Sequence, residues 1–305
     1  MTVILIYSGN VITMAATERT SALAFAKINL ALEVLGRRED GYHEVKTILQ
    51  TIDLADRIEV QLSSSLRVDC DDPALGGEAN LVWRAAVALA EHCNRLPKAS
   101  IFVQKQIPVG MGLGGGSSDA AAALLALNRL WGLGMTLDEL SQVATGLGSD
   151  VPFFLWGGTA LAEGRGEKIK ALAPLPRLPV TLVCPDTTIP NKTARLYSTL
   201  TANNDSDGSV TGRLEDSLRR GKFLGSCTYN VFEQVAFTVF PELAQLRERF
   251  EACIAGRAHL SGAGPAMFCV PSSEEEHRRV AAALQTYPAK VYFVHTIKPD
   301  AWGVR

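Results

Sequence analysis

Apolar and polar positions along this chain follow two rhythms, and the places where one gives way to the other divide it into elements. Residues 21–36 (SALAFAKINLALEVLG) are dense in apolar and small side chains and end on Gly36, which predicts an extended segment, partly strand. Residues 45–62 predict strands broken by Asp53 and Asp56, and residues 66–70 a further strand. Asn80 can cap a helix running to about Asn94, with Leu81, Ala85, Ala88 and Leu89 on one face. Residues 100–107 alternate apolar with polar, as a half-buried strand does, and Pro108 ends it. An alanine-rich helix follows from about Ser118 to Trp131. Thr136 and Glu139 form a capping box that starts another helix, ending at Gly146 or Gly148. Val151-Pro152 predicts extended backbone just beyond, because a residue before proline avoids the helical region.

In the second half, residues 157–170 read as strand, turn, strand, and 180–185 as a buried strand. The polar stretch 201–212 (TANNDSDGSVTG) predicts a mobile loop. Helices are expected near 213–221, 229–237, 241–254 and 274–286, and strands at 266–270 and 290–297.

Composition narrows the picture. A chain of 305 residues, 47% hydrophobic and 20% charged, can bury a core and has room for two domains. The proline-rich stretch 174–179 is the natural seam: an extension over 1–20, one domain over 21–176 and another over 177–305. The apolar N-terminal segment VILIYSGNVI has no preceding Lys or Arg, so it lacks the basic start of a secretion signal. It reads as an extra strand or a disordered extension, and residues 1–13 fall outside the native protein if translation starts at Met14. No apolar run reaches the roughly 18 residues a membrane span needs. The net charge of −2 comes with no basic stripe, which argues against a nucleic-acid partner. Six cysteines without a C-x-x-C pair, and five histidines without H-E-x-x-H, predict no metal centre and free thiols in a reducing cytosol.

The strongest chemical signal runs from Pro108 to Ser118: Pro-Val-Gly110-Met-Gly112-Leu113-Gly114-Gly115-Gly116-Ser117-Ser118, just before the alanine-rich helix. Glycines let backbone turn freely and approach a ligand closely. Unbonded amides and the positive end of the helix dipole then favour an anion, and phosphate fits. A P-loop would need a lysine after the glycines, and none is there. G-x-G-x-x-G does occur, at Gly110, Gly112 and Gly115, but a dinucleotide fold wants an acidic residue ending the next strand; Asp138 has about that spacing and instead sits in the helix-starting capping box.

This loop resembles the phosphate loop of the GHMP kinases. FAKINLALEVLGRREDGYHEV, LGSDVPFFL and LSGAGPAMF resemble the other motifs of one branch of that superfamily, which phosphorylates a cytidine-diphosphate-linked methylerythritol on the non-mevalonate route to isoprenoid precursors. The resemblance covers about residues 21–300. It implies an α+β fold in two domains, the GHMP kinase fold, with an N-terminal domain like ribosomal protein S5 domain 2 and a ferredoxin-like C-terminal domain; the chain is expected in the cytoplasm, as a monomer or homodimer. ATP and Mg²⁺ are the implied cofactors, and a small-molecule cytidine diphosphate derivative the implied partner. Asp150 is the implied catalytic base and Lys27 its partner. The implied ATP contacts are Asn80, Lys105, Pro108, Gly110, Gly112, Leu113, Gly114, Gly115, Gly116, Ser117 and Ser118. Asn29, Tyr42, His43, Thr193, Tyr197 and Gly262 fall on the acceptor side.

Elementary chemistry agrees with these roles: phosphoryl transfer needs positioning, charge stabilisation and an acceptor for the hydroxyl proton. Taken alone, each residue also has a plainer reading. Asp150 or Asn80 could simply cap a helix, Lys27 could reach for solvent past apolar neighbours, and Tyr42-His43 could be an ordinary turn. Other GHMP kinases remain an alternative, as does a ligand sensor on the same fold.

Overall fold

The computed structural model describes residues 3–7, 10–14 and 19–299. Within the extension, β1 (Val3–Tyr7) and β2 (Asn10–Met14) pair antiparallel. Two long antiparallel partners, β3 (Arg19–Arg37) and β4 (His43–Leu62), form the spine of the main sheet. β5 (Arg67–Cys70), α1 (Leu81–His92), β6 (Ala99–Gln104), α2 (Gly115–Leu130), α3 (Leu137–Thr145), α4 (Val151–Trp156), β7 (Thr159–Gly164) and β8 (Lys168–Ala171) follow. The seven-stranded sheet runs β10-β3-β4-β6-β5, with β7 paired to β4 and β8 paired to β7. One half of β4 pairs β6 and the other half pairs β7.

The second half contributes β9 (Pro179–Pro185), α5 (Lys192–Thr199), α6 (Ser209–Arg219), β10 (Tyr229–Asn230), α7 (Glu233–Val239), α8 (Pro241–Glu251), β11 (His259–Leu260), β12 (Met267–Cys269), α9 (Glu274–Ala283) and β13 (Ala289–His295). Four of these strands make an antiparallel sheet in the order β11-β12-β9-β13. The short β10 crosses over to lie parallel to β3 in the first sheet.

Three apolar clusters hold these layers together. Ile58, Ile101 and Val103 of the main sheet pack on Ala120, Leu124 and Leu127 of α2 and on Phe153 and Phe154 of α4. Val183 and Met267 of the second sheet pack with Leu243, Leu246 and Phe250 of α8. Between the sheets, Ile28, Leu30, Ile48 and Ile52 meet Val180, Leu182, Phe268 and Val294. That seam is a dry core, so the two halves hold each other in register.

Several sequence expectations need correction. β4 is not broken at Asp53 or Asp56. Asp56 is wholly buried, where its carboxylate accepts the Gln106 and Ile107 amides and pairs with Lys105. Those bonds draw residues 106 and 107 away from the sheet, so β6 stops at Gln104. Val151-Pro152 is not extended but opens α4. Proline in a helix's first turn gives up no intrahelical bond, which removes the conflict. The alanine-rich helix starts three residues early, at Gly115, so the last glycines form its first turn. Residues 201–212 are no mobile loop. A short 3₁₀ turn occupies Ala202–Asn204 and α6 begins at Ser209. The buried Glu33 carboxylate accepts the Ser206 hydroxyl at 2.9 Å and the Thr211 amide at 2.6 Å, fixing an anion at the first turn of α6. The sequence reading passed over α5 entirely.

Candidate active site

Lys27 and Asn29 lie two residues apart on β3, so both side chains leave the same face of the strand. Irregularities in the β3–β4 register flank them, between Phe25 and Lys27 and between Asn29 and Ala31. Such bulges re-aim side chains. Both are buried, at 4% and 3% exposure. A chain of bonds fixes the lysine: its Nζ donates to Asn29 Oδ1 at 2.6 Å, Asn29 Nδ2 donates to Thr47 Oγ1 at 2.9 Å, and Thr47 donates to the Ala31 carbonyl at 2.6 Å. Burial holds the Lys27 pKa below its usual value; the Asp150 charge opposes that shift, and the Lys192 charge adds to it.

Asp150 occupies the N-cap position of α4, yet its side chain makes no capping bond. The plain capping reading therefore fails for this residue, and its carboxylate borders the same cavity as Lys27. Gly148 lies just ahead, its carbonyl accepting the Val151 amide, and Pro152 stiffens the turn behind.

The glycine loop passes over this pair. Lys27 donates its backbone amide to the Leu113 carbonyl at 3.0 Å. Gly114 has φ +73, and a Cβ there would meet the Phe154 ring at 2.5 Å and the Lys27 stem at 3.3 Å, so only glycine fits. From the other half of the chain, Ser261 donates its hydroxyl to the Gly112 carbonyl, and a Cβ on Gly262 would stand 3.1 Å from Lys27 Nζ. Asn230 holds that second loop by donating to the Leu260 and Gly262 carbonyls.

Three adjoining cavities surround these residues. One of about 490 Å³ is lined by Asn80, Lys105, residues 107–117 and Asp119, which include Pro108 and Gly110 to Ser117. One of about 300 Å³ holds Lys27, Asn29, Asp150, Thr193, Tyr197 and Gly262. The third, about 960 Å³, is walled by Tyr42, His43, Thr193 and Tyr197 among others. Gly112, Gly114 and Lys192 border both the first and second; Asp150, Arg165, Thr193 and Tyr197 border both the second and third. The sites read separately from sequence thus form one continuous channel.

Ser118 is the exception. It is fully buried, and its hydroxyl donates to the Phe25 carbonyl at 2.7 Å, pointing away from every cavity described. Ser117 is half-buried and borders both large cavities, and its hydroxyl carries no hydrogen bond to another described residue. Asn80 both caps α1, accepting the Val82 amide at 2.8 Å, and borders the first cavity. The Lys105 ammonium is shared by Asp56 and by Asp119 at 2.7 Å. Burial disfavours its charge, but the two carboxylates outweigh that and hold its pKa above the usual value. Burial, with Asp56 as a like-charged neighbour, pushes the Asp119 carboxyl up to about 7 against the pull of Lys105. One oxygen of Asp119 has no hydrogen-bond partner.

In the large cavity, the turn before β4 presents Tyr42 and His43. Asp40 accepts the Tyr42 amide, Arg38 donates its amide to the Tyr42 carbonyl, and Gly41 takes the left-handed φ of +85. Tyr42 is 55% exposed with the Arg165 guanidinium 4.8 Å from its ring centre. His43 stacks on Tyr197, centroids 4.8 Å apart, and Tyr197 meets Phe232 edge-on. Burial, reinforced by Asp150, pushes the Tyr197 phenol to about 12.

Sequence reasoning missed Thr47, Asp56, Asp119, Arg165 and Lys192. The last stands in IPNKTARLY, where only its neighbours Thr193 and Tyr197 drew notice.

Comparison with known proteins fits this geometry. Residues 80–158 match the GHMP kinase N-terminal domain and residues 213–290 the GHMP kinase C-terminal domain. The chain is 40% identical over 278 residues to 4-diphosphocytidyl-2-C-methyl-D-erythritol kinase of Dehalococcoides mccartyi (strain ATCC BAA-2266 / KCTC 15142 / 195), covering 91% of this chain and 98% of the relative. It is 40% identical to the protein of the same name from Bacillus cytotoxicus, over 89% of this chain and 95% of the relative. A crystal structure of 4-(cytidine 5'-diphospho)-2C-methyl-D-erythritol kinase superposes with a TM-score of 0.75 at 37% identity, covering 90% of this chain and 98% of that one. Homoserine kinase from Cytophaga hutchinsonii shares the fold at 18% identity, with a TM-score of 0.74 over 97% of this chain and all of that one.

Proposed function

The chain belongs to the GHMP kinases, and we propose that it transfers the γ-phosphoryl group of ATP to the 2-hydroxyl of 4-diphosphocytidyl-2-C-methyl-D-erythritol. The observation that carries this reading is the meeting of Lys27, Asp150 and the glycine loop where the smaller cavity opens into the larger one.

ATP would lie in the 490 Å³ cavity, its base toward Asn80 and its phosphates on the glycine loop and the start of α2. The cytidine end would occupy the 960 Å³ cavity, the pyrimidine against the Tyr42 ring and near His43. The methylerythritol would then reach Asn29, Lys27 and Asp150. The acceptor oxygen attacks the γ-phosphorus, its proton passes to the Asp150 carboxylate, and the bond to the β–γ bridging oxygen breaks to release ADP. Asn29 and Thr47 hold the Lys27 ammonium for the charge that builds on the phosphoryl oxygens. Mg²⁺ would travel with the nucleotide phosphates. Among the described residues there is no cluster of three acidic, histidine or cysteine side chains. The unpartnered Ser117 hydroxyl and the Asp150 carboxylate are oxygen donors of the kind it takes.

Purified protein is tested in a coupled ATP-consumption assay with Mg²⁺ and the cytidine compound, beside homoserine, mevalonate and galactose. Turnover with the cytidine compound alone is expected. Turnover with another alcohol refutes the acceptor, and ATP binding without any turnover refutes the kinase reading in favour of a sensor.

A further inference from the structure

Lys192 is the first residue of α5, directly before Thr193. Its place in the channel is distinctive. It borders the nucleotide cavity and the cavity of Lys27 and Asp150, but not the large acceptor cavity, which its neighbours Thr193 and Ala194 line. Asn191, just before it, takes a left-handed φ of +52, which turns the chain into α5 at this point. The ammonium makes no ion pair and no hydrogen bond to any other described residue, whereas Lys105, the other lysine bordering the nucleotide cavity, is tied to two carboxylates.

The local charge is unbalanced. The walls of the central cavity carry Lys27, Lys192 and Arg165 against Asp150 alone: three cations and one carboxylate. A half-buried cation without a partner, as Lys192 is, loses hydration and is repelled by like charges nearby. Both consequences register here, since burial lowers the Lys192 pKa and the Lys192 charge lowers that of Lys27. An arrangement of this kind is relieved by an anion placed between the two ammonium groups.

We infer that Lys192 is a second catalytic cation, whose ammonium contacts the terminal phosphoryl group of the nucleotide from the side opposite the glycine loop's amides. Lys27 and Lys192 then clamp the group in transit from two elements belonging to different halves of the chain. The same phosphate chemistry is offered by the diphosphate of the acceptor. The position of Lys192 beside the nucleotide cavity and away from the large one assigns it to the donor. This inference rests on the kinase reading for the reaction, but not for the binding it predicts.

The test compares wild type with Lys192→Met, Lys192→Gln and Lys192→Arg, each checked for an unchanged melting temperature. Calorimetry without acceptor gives Kd for ATP and for ADP, and kinetics give kcat and KM for both substrates. Met and Gln are expected to cut the preference for ATP over ADP by about tenfold and to lower kcat by about 10²-fold, the usual loss when one preorganised charge-stabilising group is removed. Arg, which keeps the charge, is expected to restore most of both. An ATP:ADP ratio equal to that of wild type overturns the inference. So does a rise confined to the acceptor KM, which would transfer Lys192 to the acceptor diphosphate. If wild type phosphorylates none of the alcohols yet its ATP preference still depends on Lys192, the proposed function and the catalytic role fall together, and the phosphate contact of Lys192 stands.

Discussion

Gly112→Ala separates packing from chemistry in this site. Gly112 has φ +79, and a Cβ there would lie 2.1 Å from the Ser261 carbonyl oxygen and 3.0 Å from that of Gly264. Real Cβ contacts stay above 3.0 Å, and both obstacles are backbone, so the two loops must part by about 1 Å. The left-handed conformation adds about 1–2 kcal/mol for any residue with a side chain, and overpacking about 1–3 kcal/mol. The expected loss of stability is therefore about 2–5 kcal/mol, read from urea denaturation. Because Gly262 rests over the Lys27 ammonium, the separation also uncovers that lysine. A misplacement of about 1 Å can cost about 10²-fold in rate, which is the expected fall in kcat. Gly116→Ala is the counterpart. That glycine is helical, a Cβ there meets nothing within 4 Å, and the residue lines the 490 Å³ cavity. It should be as stable as wild type or gain about 0.5–1 kcal/mol while binding ATP more weakly. Wild-type stability and kcat in Gly112→Ala would refute the proposed contact between the loops.

Asp150→Asn should fold and bind ATP as wild type does but lose most turnover, since the amide cannot take the hydroxyl proton; near wild-type kcat refutes its role as base. Tyr42→Ala should weaken the cytidine substrate by about 1–3 kcal/mol, the range for a base stacked on an aromatic ring, and unchanged affinity in calorimetry would exclude stacking. Burial pushes the Asp119 carboxyl up to about 7, from an ordinary value near 3.8. Between those limits the unfolded chain binds fewer protons, so this group makes stability fall as pH rises, by up to about 1.4 kcal/mol per unit. Asp119→Asn should flatten urea midpoints between pH 4 and 7, and identical slopes in both proteins would contradict the assignment.

What could be read from the sequence followed the reach of each signal. The Asn80 cap, the Thr136–Glu139 box and the alternation over 100–107 are written within a few residues, and each marks an element in the structure. The glycine run is equally local, and it lines a cavity in the structure. The failures involve partners distant in the chain. Asp56 looked like a strand breaker because the amides that satisfy it come from 51 positions away, at Ile107. The stretch 201–212 looked unstructured because the carboxylate that orders it, Glu33, lies 178 residues before Thr211. Lys192 and Asp119 carry no local mark at all: only the fold sets one beside Lys27 and the other beside Lys105.

One strand of two residues bears on how the enzyme comes into being. β10 completes the edge of the first sheet next to β3, opposite Ala31 and Leu32, and its Asn230 side chain steadies the loop over Lys27. At the other border, Thr51 accepts the Ile297 amide and Gln50 donates to the Ile297 carbonyl. A nascent chain emerging from the ribosome has made Lys27, the glycine loop and Asp150 long before these struts exist. Activity therefore arrives late in synthesis and all at once, and a fragment cut at the proline-rich seam has no half-working site to offer.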